Sequence, residues 1–139
     1  MQIYYRVWSD SIKAAIKTDK DGIGGWKSVL LIIFSVSQGI NILTIMLWIK
    51  VLFKIEMNVF INFNLFQGNM LNNFLSIFIT LFLPFLILNY YLIFYKSKYK
   101  VIMEKYHGFK TKEGLIFMIY FIVSMAIFLL PVIVGKLVM

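Results

Sequence analysis

The sequence predicts an all-α integral membrane protein: three transmembrane helices preceded by an amphipathic interfacial N-terminal helix. Three observations carry this reading. First, 61% of the 139 residues are hydrophobic and 14% are charged, whereas soluble domains have about 45–50% apolar and about 25% charged residues. A soluble domain this small has too little interior to hide so much apolar side chain. Second, the charges fall in blocks, which leave uncharged runs at 28–49, 57–95 and 114–135. A membrane-spanning helix needs about 20 apolar residues at about 1.5 Å each. Third, the basic residues are distributed unevenly between the blocks, as expected of a threaded chain.

The N-terminal segment, 3–18, places Tyr4, Val7, Trp8, Ile12, Ala15 and Ile16 at helical spacing, with Arg6, Ser9, Asp10, Lys13 and Lys17 between them. Both sets fit an amphipathic helix. It is expected to lie flat on the cytoplasmic membrane surface, with Arg6–Asp10 and Asp10–Lys13 pairing on its wet side. No small-x-small cleavage site follows it, so it does not read as a cleavable signal. "DGIGGW" then forms a flexible turn, because three glycines in four residues do not sustain a helix.

The first span is 28–49. The middle run, 57–95, is long enough to raise the question of one span or two, and its polarity decides for one. Its first part, "NVFINFNLFQGNMLNN", contains six Asn, one Gln and one Gly, too polar for a lipid-facing helix. The second span is therefore 71–95, and 50–70 is an outer Asn-rich loop. A basic inner loop covers 96–113, and the third span is 114–135. The whole chain, 1–139, reads as one membrane domain.

Orientation follows from Lys and Arg, which accumulate on cytoplasmic loops. The N-terminal segment has five, the 96–113 loop six, the first loop two and the tail one. The expected threading is N-terminus cytoplasmic and C-terminus outside, in the cell membrane, which puts eleven basic residues inside and three outside. The net charge of +8 then faces anionic lipid headgroups on the cytoplasmic side, and no nucleic-acid partner is expected. Trp26 and Trp48 bracket the first span at headgroup depth. Arg6, Trp8, Lys13, Lys17, Trp26 and Trp48 are the candidate lipid headgroup contacts.

The first span carries an unexpected polar centre, "SVSQGIN". At about 100° per residue, Gln38 and Asn41 lie about 60° apart. Ser35 and Gly39 flank Gln38, and Ser37 and Thr44 lie beyond Asn41, so the polar residues form one face. Ser35-x-x-x-Gly39 is a small-x-x-x-small pair that permits close helix approach. Ser35, Gln38, Gly39 and Asn41 are therefore candidate helix-association residues or, in an oligomer, pore-lining residues. Pro84 removes a backbone donor and crowds the carbonyl of Thr80, and Pro131 does the same toward Ile127, so both are candidate helix kinks. Tyr120 and Ser124, one turn apart, offer a polar contact to another helix.

Other motifs carry less. "DKDG" at 19–22 puts Lys17 and Ser28 at the first and twelfth positions of a calcium loop, where ligands are required. "GIGG" at 22–25 lacks the preceding strand and the Lys-Ser/Thr ending of a phosphate-binding loop. "EKYH" at 104–107 has a di-iron spacing but no companion carboxylates or second His. The chain has no Cys, and all six acidic residues fall outside the expected spans. No metal or cofactor site and no enzymatic activity are expected. The expected role is that of a small membrane-embedded scaffold or accessory subunit acting by helix–helix association, as a homo-oligomer or with a partner membrane protein. The alternative is a homo-oligomeric channel or membrane-permeabilising effector lined by the polar face of the first span.

Overall fold

The structure is a computed structural model that describes residues 2–19, 25–54, 61, 64–66, 69–106 and 114–138, with side chains as far as 134. Its elements are α1 (Gln2–Thr18), α2 (Trp26–Phe53), α3 (Asn69–Ile77), α4 (Leu83–Asn89), α5 (Lys98–Lys105) and α6 (Leu115–Val138). Widened π-helical turns at Phe78–Phe82 and Tyr90–Phe94 flank α4, and a 3₁₀ turn at Tyr95–Ser97 leads into α5. Three helical stretches are long and apolar enough to cross a membrane: Trp26–Phe53, Asn69–Lys105 and Leu115–Val134.

α2 is the central helix, with α4, the first π turn and α6 all packed on it. Its hydroxyls are satisfied within the helix: Ser35, Ser37 and Thr44 donate to the carbonyls of Leu31, Ile33 and Ile40. Each bond runs back four residues, which lets a buried hydroxyl sit on an apolar helix without an orphaned donor. α2 ends at Lys54, whose φ of 52° turns the backbone left-handed.

The second long stretch bends around its proline. Pro84 has no N–H and crowds the preceding turn. The helix responds by widening over Phe78–Phe82, where the Leu83 N–H reaches back to the Phe78 carbonyl. A π turn is one of the recognised ways of absorbing such a conflict. Pro84 itself is exposed, while Pro131 is fully buried within α6. The stretch breaks at Lys96 and Ser97, two successive non-glycine residues with φ of 52° and 57°. Lys98 then donates its ammonium to the Tyr91 carbonyl at 3.3 Å, across the break.

The 96–113 segment, expected as a loop, contains α5. The helix runs alongside α1: Tyr106 stacks on Tyr5 with 5.3 Å between ring centroids, and Ser9 donates to the Tyr106 carbonyl. The Glu104–His107 motif falls partly here, with His107 outside the described residues. "DKDG" after Asp19 and most of "GIGG" also lie outside them.

α1 departs most from the sequence expectation. It does not lie flat across the end of the bundle but runs antiparallel along α2. Ala15 and Thr18 share a groove with Trp26, Val29 and Leu30, Trp8 stacks on Phe34 at 3.7 Å, and Tyr4 reaches the level of Ser35 and Gln38. Gln38 lies about 18 Å along α2 from Trp26, at 1.5 Å per residue. Five successive residues, Trp8 to Ile12, are buried. Since successive residues step about 100° around a helix, the middle of α1 is covered on every side.

Trp8 is therefore a core residue and not a headgroup contact. It is 0% exposed, and the hydrophobic gain from covering it with Phe34 and Phe94 outweighs any preference of indole for an interface. Asp10, expected on a wet face, is 2% exposed and accepts a hydrogen bond from the Gly114 N–H at 2.8 Å. That N–H opens α6, so the carboxylate sits where the helix dipole favours an anion. Gly114 has φ of +78°, and a Cβ there would lie 3.0 Å from the Ala14 Cβ. Glycine meets both constraints.

The first and second long helical stretches approach closely at Gly39. An added Cβ would come within 2.5 Å of the Phe82 ring and 3.2 Å of the Leu81 carbonyl oxygen. Gly39→Ala should destabilise the fold by about 1–3 kcal/mol, as overpacking does, lowering the thermal midpoint in detergent. Adding Phe82→Leu should recover part of that loss. An unchanged midpoint in Gly39→Ala would contradict the close contact.

Candidate functional site

The polar face of α2 meets other helices of the same chain, and the meeting point is Asn89. This side chain, at the end of α4, is 0% exposed. Its Nδ2 donates to the Gln38 Oε1 at 2.9 Å and to the Ser35 Oγ at 3.1 Å. Its Oδ1 accepts from the Tyr4 hydroxyl at 2.6 Å. Both amide donors and one acceptor position are thus filled, and α1, α2 and α4 are joined at one point. Burial raises the Tyr4 phenol above its ordinary value, so it stays protonated and able to donate.

Asn41 lies one turn further along and faces the third long helix. Its Nδ2 donates to the Tyr120 hydroxyl. Gly39 sits between these contacts against Phe82. Of the residues singled out in "SVSQGIN", Ser35 and Gln38 are brought together by Asn89. Gly39 packs against the second long stretch, and Asn41 bonds to α6. Aromatic packing joins the same elements: Phe34 stacks on Trp8 at 3.7 Å and on Phe117 at 4.1 Å.

Sequence reasoning missed Asn89. It lies in "LPFLILNYYLIFY", and the apolar run around it masked a single amide. A carboxamide in such a run is costly without partners, and this was the available signal. Asn72, at the start of the expected second span, was likewise not singled out. It accepts from the amides of Leu65 and Phe66 and donates to the Phe66 carbonyl, which fixes the chain against the start of α3.

The remaining candidates are dispersed. Trp26 packs on Phe94 and Tyr99 with the Lys27 ammonium over its ring. Trp48 is half-buried near the other end of α2. Lys13 is half-buried and Lys17 exposed on α1. Arg6 lines a cleft with Gln2, Lys105 and Tyr106. A second cleft, of about 400 Å³, lies beside the Asn89 cluster and is lined by Ile3, Val7, Phe34 and Ile116 together with Tyr4, Gln38 and Tyr120.

Chemically, the Asn89 cluster is a neutral hydrogen-bond junction. The Ser35 hydroxyl donates to Leu31 and accepts from Asn89, so no base draws on its proton. Among the described residues no group of three or more His, Asp or Glu is placed to hold a metal ion. Comparisons with protein families, curated proteins and solved structures give no match to this chain.

Interhelical hydrogen bonds in membranes contribute about 0.6 kcal/mol each on average. The three Asn89 bonds together are thus expected to contribute about 2 kcal/mol. Asn89→Leu should lower stability by about that amount. Tyr4→Phe should destabilise the native chain but add little once Asn89 is Leu. Fully additive losses in this double-mutant cycle would show that the two side chains do not interact.

Proposed function

We propose that the chain is a small membrane-embedded scaffold or accessory subunit that works by helix–helix association in a membrane complex. Its threading places the N-terminus in the cytoplasm and the C-terminus outside, in the cell membrane. The observation that carries this reading is the occupation of the polar face of α2. Ser35 and Gln38 are bonded to Asn89, and Asn41 to Tyr120. A pore lined by these amides would need them turned toward water, and here they hold the chain's own helices together.

The outward surfaces support the same reading. Ile119, Ile122, Val123, Leu129 and Ile133 on α6 are about half exposed or more, or close to it, and so are Ile32 and Ile45 on α2. Inside a bilayer, such faces meet lipid or the helices of another protein. The basic excess of the N-terminal segment and the 96–113 segment holds the cytoplasmic end against anionic headgroups.

One observation favours the alternative of a channel or permeabilising effector. The Ile61 N–H donates to the Thr80 hydroxyl. Thr80 neighbours Leu81, which touches Gly39 at the midpoint of α2. Non-helical backbone at that depth is tolerated where it is covered by protein or lines water.

Cross-linking in the native membrane followed by purification separates these readings. The scaffold reading expects a membrane protein partner in fixed ratio and background ion flux from liposomes containing the chain alone. Ion flux that falls when Gln38 and Asn41 are changed to Leu would overturn it. A C-terminal reporter active only outside the cytoplasm should be active, and silence would overturn the threading.

A further inference from the structure

We propose that the surface at the break between the second long stretch and α5 binds the phosphate headgroup of an anionic lipid through Lys96 and Lys98. Tyr91 and Tyr95, one turn apart, stack with 4.6 Å between ring centroids. The Lys98 ammonium lies 5.2 Å from the centre of the Tyr91 ring and 5.7 Å from that of Tyr95. The Lys96 ammonium lies 5.4 Å from the centre of the Tyr95 ring. In an unbroken helix these two lysines would point about 160° apart. The left-handed pair Lys96 and Ser97 breaks the helix, and both ammoniums come to one ring.

Two like charges gathered on one ring repel, and an anion between them relieves the repulsion. Among the described residues no carboxylate pairs with either lysine. Asp10 is bonded to the Gly114 amide, and Glu104 lies further along α5. The site is formed before any ligand arrives. Lys98 donates to the Tyr91 carbonyl at 3.3 Å, and the ring faces attract both ammoniums. An ammonium has three donors, so Lys98 keeps two for phosphate oxygens. Little side-chain ordering is then needed on binding, which favours affinity. Tyr91, Lys96 and Lys98 are exposed, so a headgroup can reach them.

The level of the break selects a lipid over a free anion. Trp26 is the first residue of the long stretch Trp26–Phe53. Its ring packs on Phe94 and Tyr99, the residues on either side of Tyr95–Lys98. The uncharged run of the second stretch ends at Tyr95. The lysines thus stand where one long apolar stretch begins and another ends. Headgroup phosphates occupy that level, at the edge of the hydrocarbon. Trp26 and the two stacked tyrosines suit it, each with an apolar body and a polar tip. The Lys27 ammonium, 5.0 Å from the centre of the Tyr99 ring, adds a third positive charge there. The inference rests on the reading that the basic segments face anionic headgroups, and it assigns that contact to one place.

Native mass spectrometry of the full chain released from nanodiscs tests it, with phosphatidylglycerol and phosphatidylcholine as probes. The chain should retain phosphatidylglycerol in preference to phosphatidylcholine. Lys96→Gln with Lys98→Gln should reduce that preference about tenfold. Lys100→Gln with Lys105→Gln removes the same charge from the same segment and should leave most of the preference. Native-like preference in the first variant would overturn the site. So would equal loss in the two variants, which would mean diffuse attraction and leave the headgroup reading standing. Equal retention of both lipids by the native chain would overturn the site and the headgroup reading together. If the first variant fails to fold, Lys96→Gln alone decides: Lys96 is exposed, and an unchanged preference overturns the proposal. Excess inorganic phosphate should leave phosphatidylglycerol bound; its displacement would assign the lysines to a free anion and overturn the lipid.

Discussion

A carboxamide with no exposed surface must find its partners inside the protein, and Asn89 finds them on α1 and α2. Leaving such a group unpaired in an apolar environment costs several kcal/mol. The register of α4 against α2 is therefore set by the need to deliver Asn89 to Gln38 and Ser35. Gly39 is the complementary requirement. Only a residue without Cβ lets the Phe82 ring and the Leu81 carbonyl approach α2 here. α4, Leu83–Asn89, spans the distance between these two contacts, one at Phe82 and the other at Asn89.

α1 depends on the same junction. Its Tyr4 hydroxyl completes the bonding of Asn89, and its Trp8 enters the aromatic stack with Phe34 and Phe117. Asp10 then holds the first amide of α6. A segment outside the three long apolar stretches thus meets all three of them, through three different kinds of contact. Its surroundings explain why Ser9, Asp10 and Ser11 are buried although their side chains are polar. Ser9 and Asp10 are matched to backbone groups of neighbouring elements, and Ser11 to the carbonyl of Val7 in its own helix.

The long apolar stretches were legible because charge exclusion over about 20 residues has few other causes. The polar face of α2 was legible because Gln38, Asn41 and Ser35 repeat at helical spacing. What met that face was not, since spacing along one helix contains no information about a distant residue such as Asn89. The position of α1 was misread for a related reason. A mixed apolar and basic helix has the same pattern whether its apolar side meets lipid or Phe34 and Phe94. Asp10 and Ser9 looked solvated because their partners, Gly114 and Tyr106, are backbone groups that any sequence would offer. α5 was hidden because a short basic helix resembles a basic loop until Tyr5 and Ser9 are placed against it.

The central claim is that the polar face of α2 is occupied by helices of its own chain. Magnetic-resonance contacts between the Asn89 side-chain amide and Gln38, measured in bilayers with labelled chain diluted into unlabelled chain, test it most directly. The account predicts a contact whose strength per labelled chain is unchanged by dilution. A contact that weakens in proportion to dilution would mean that Gln38 meets another copy, and its absence at every dilution would mean that the junction does not form; either result would contradict the account.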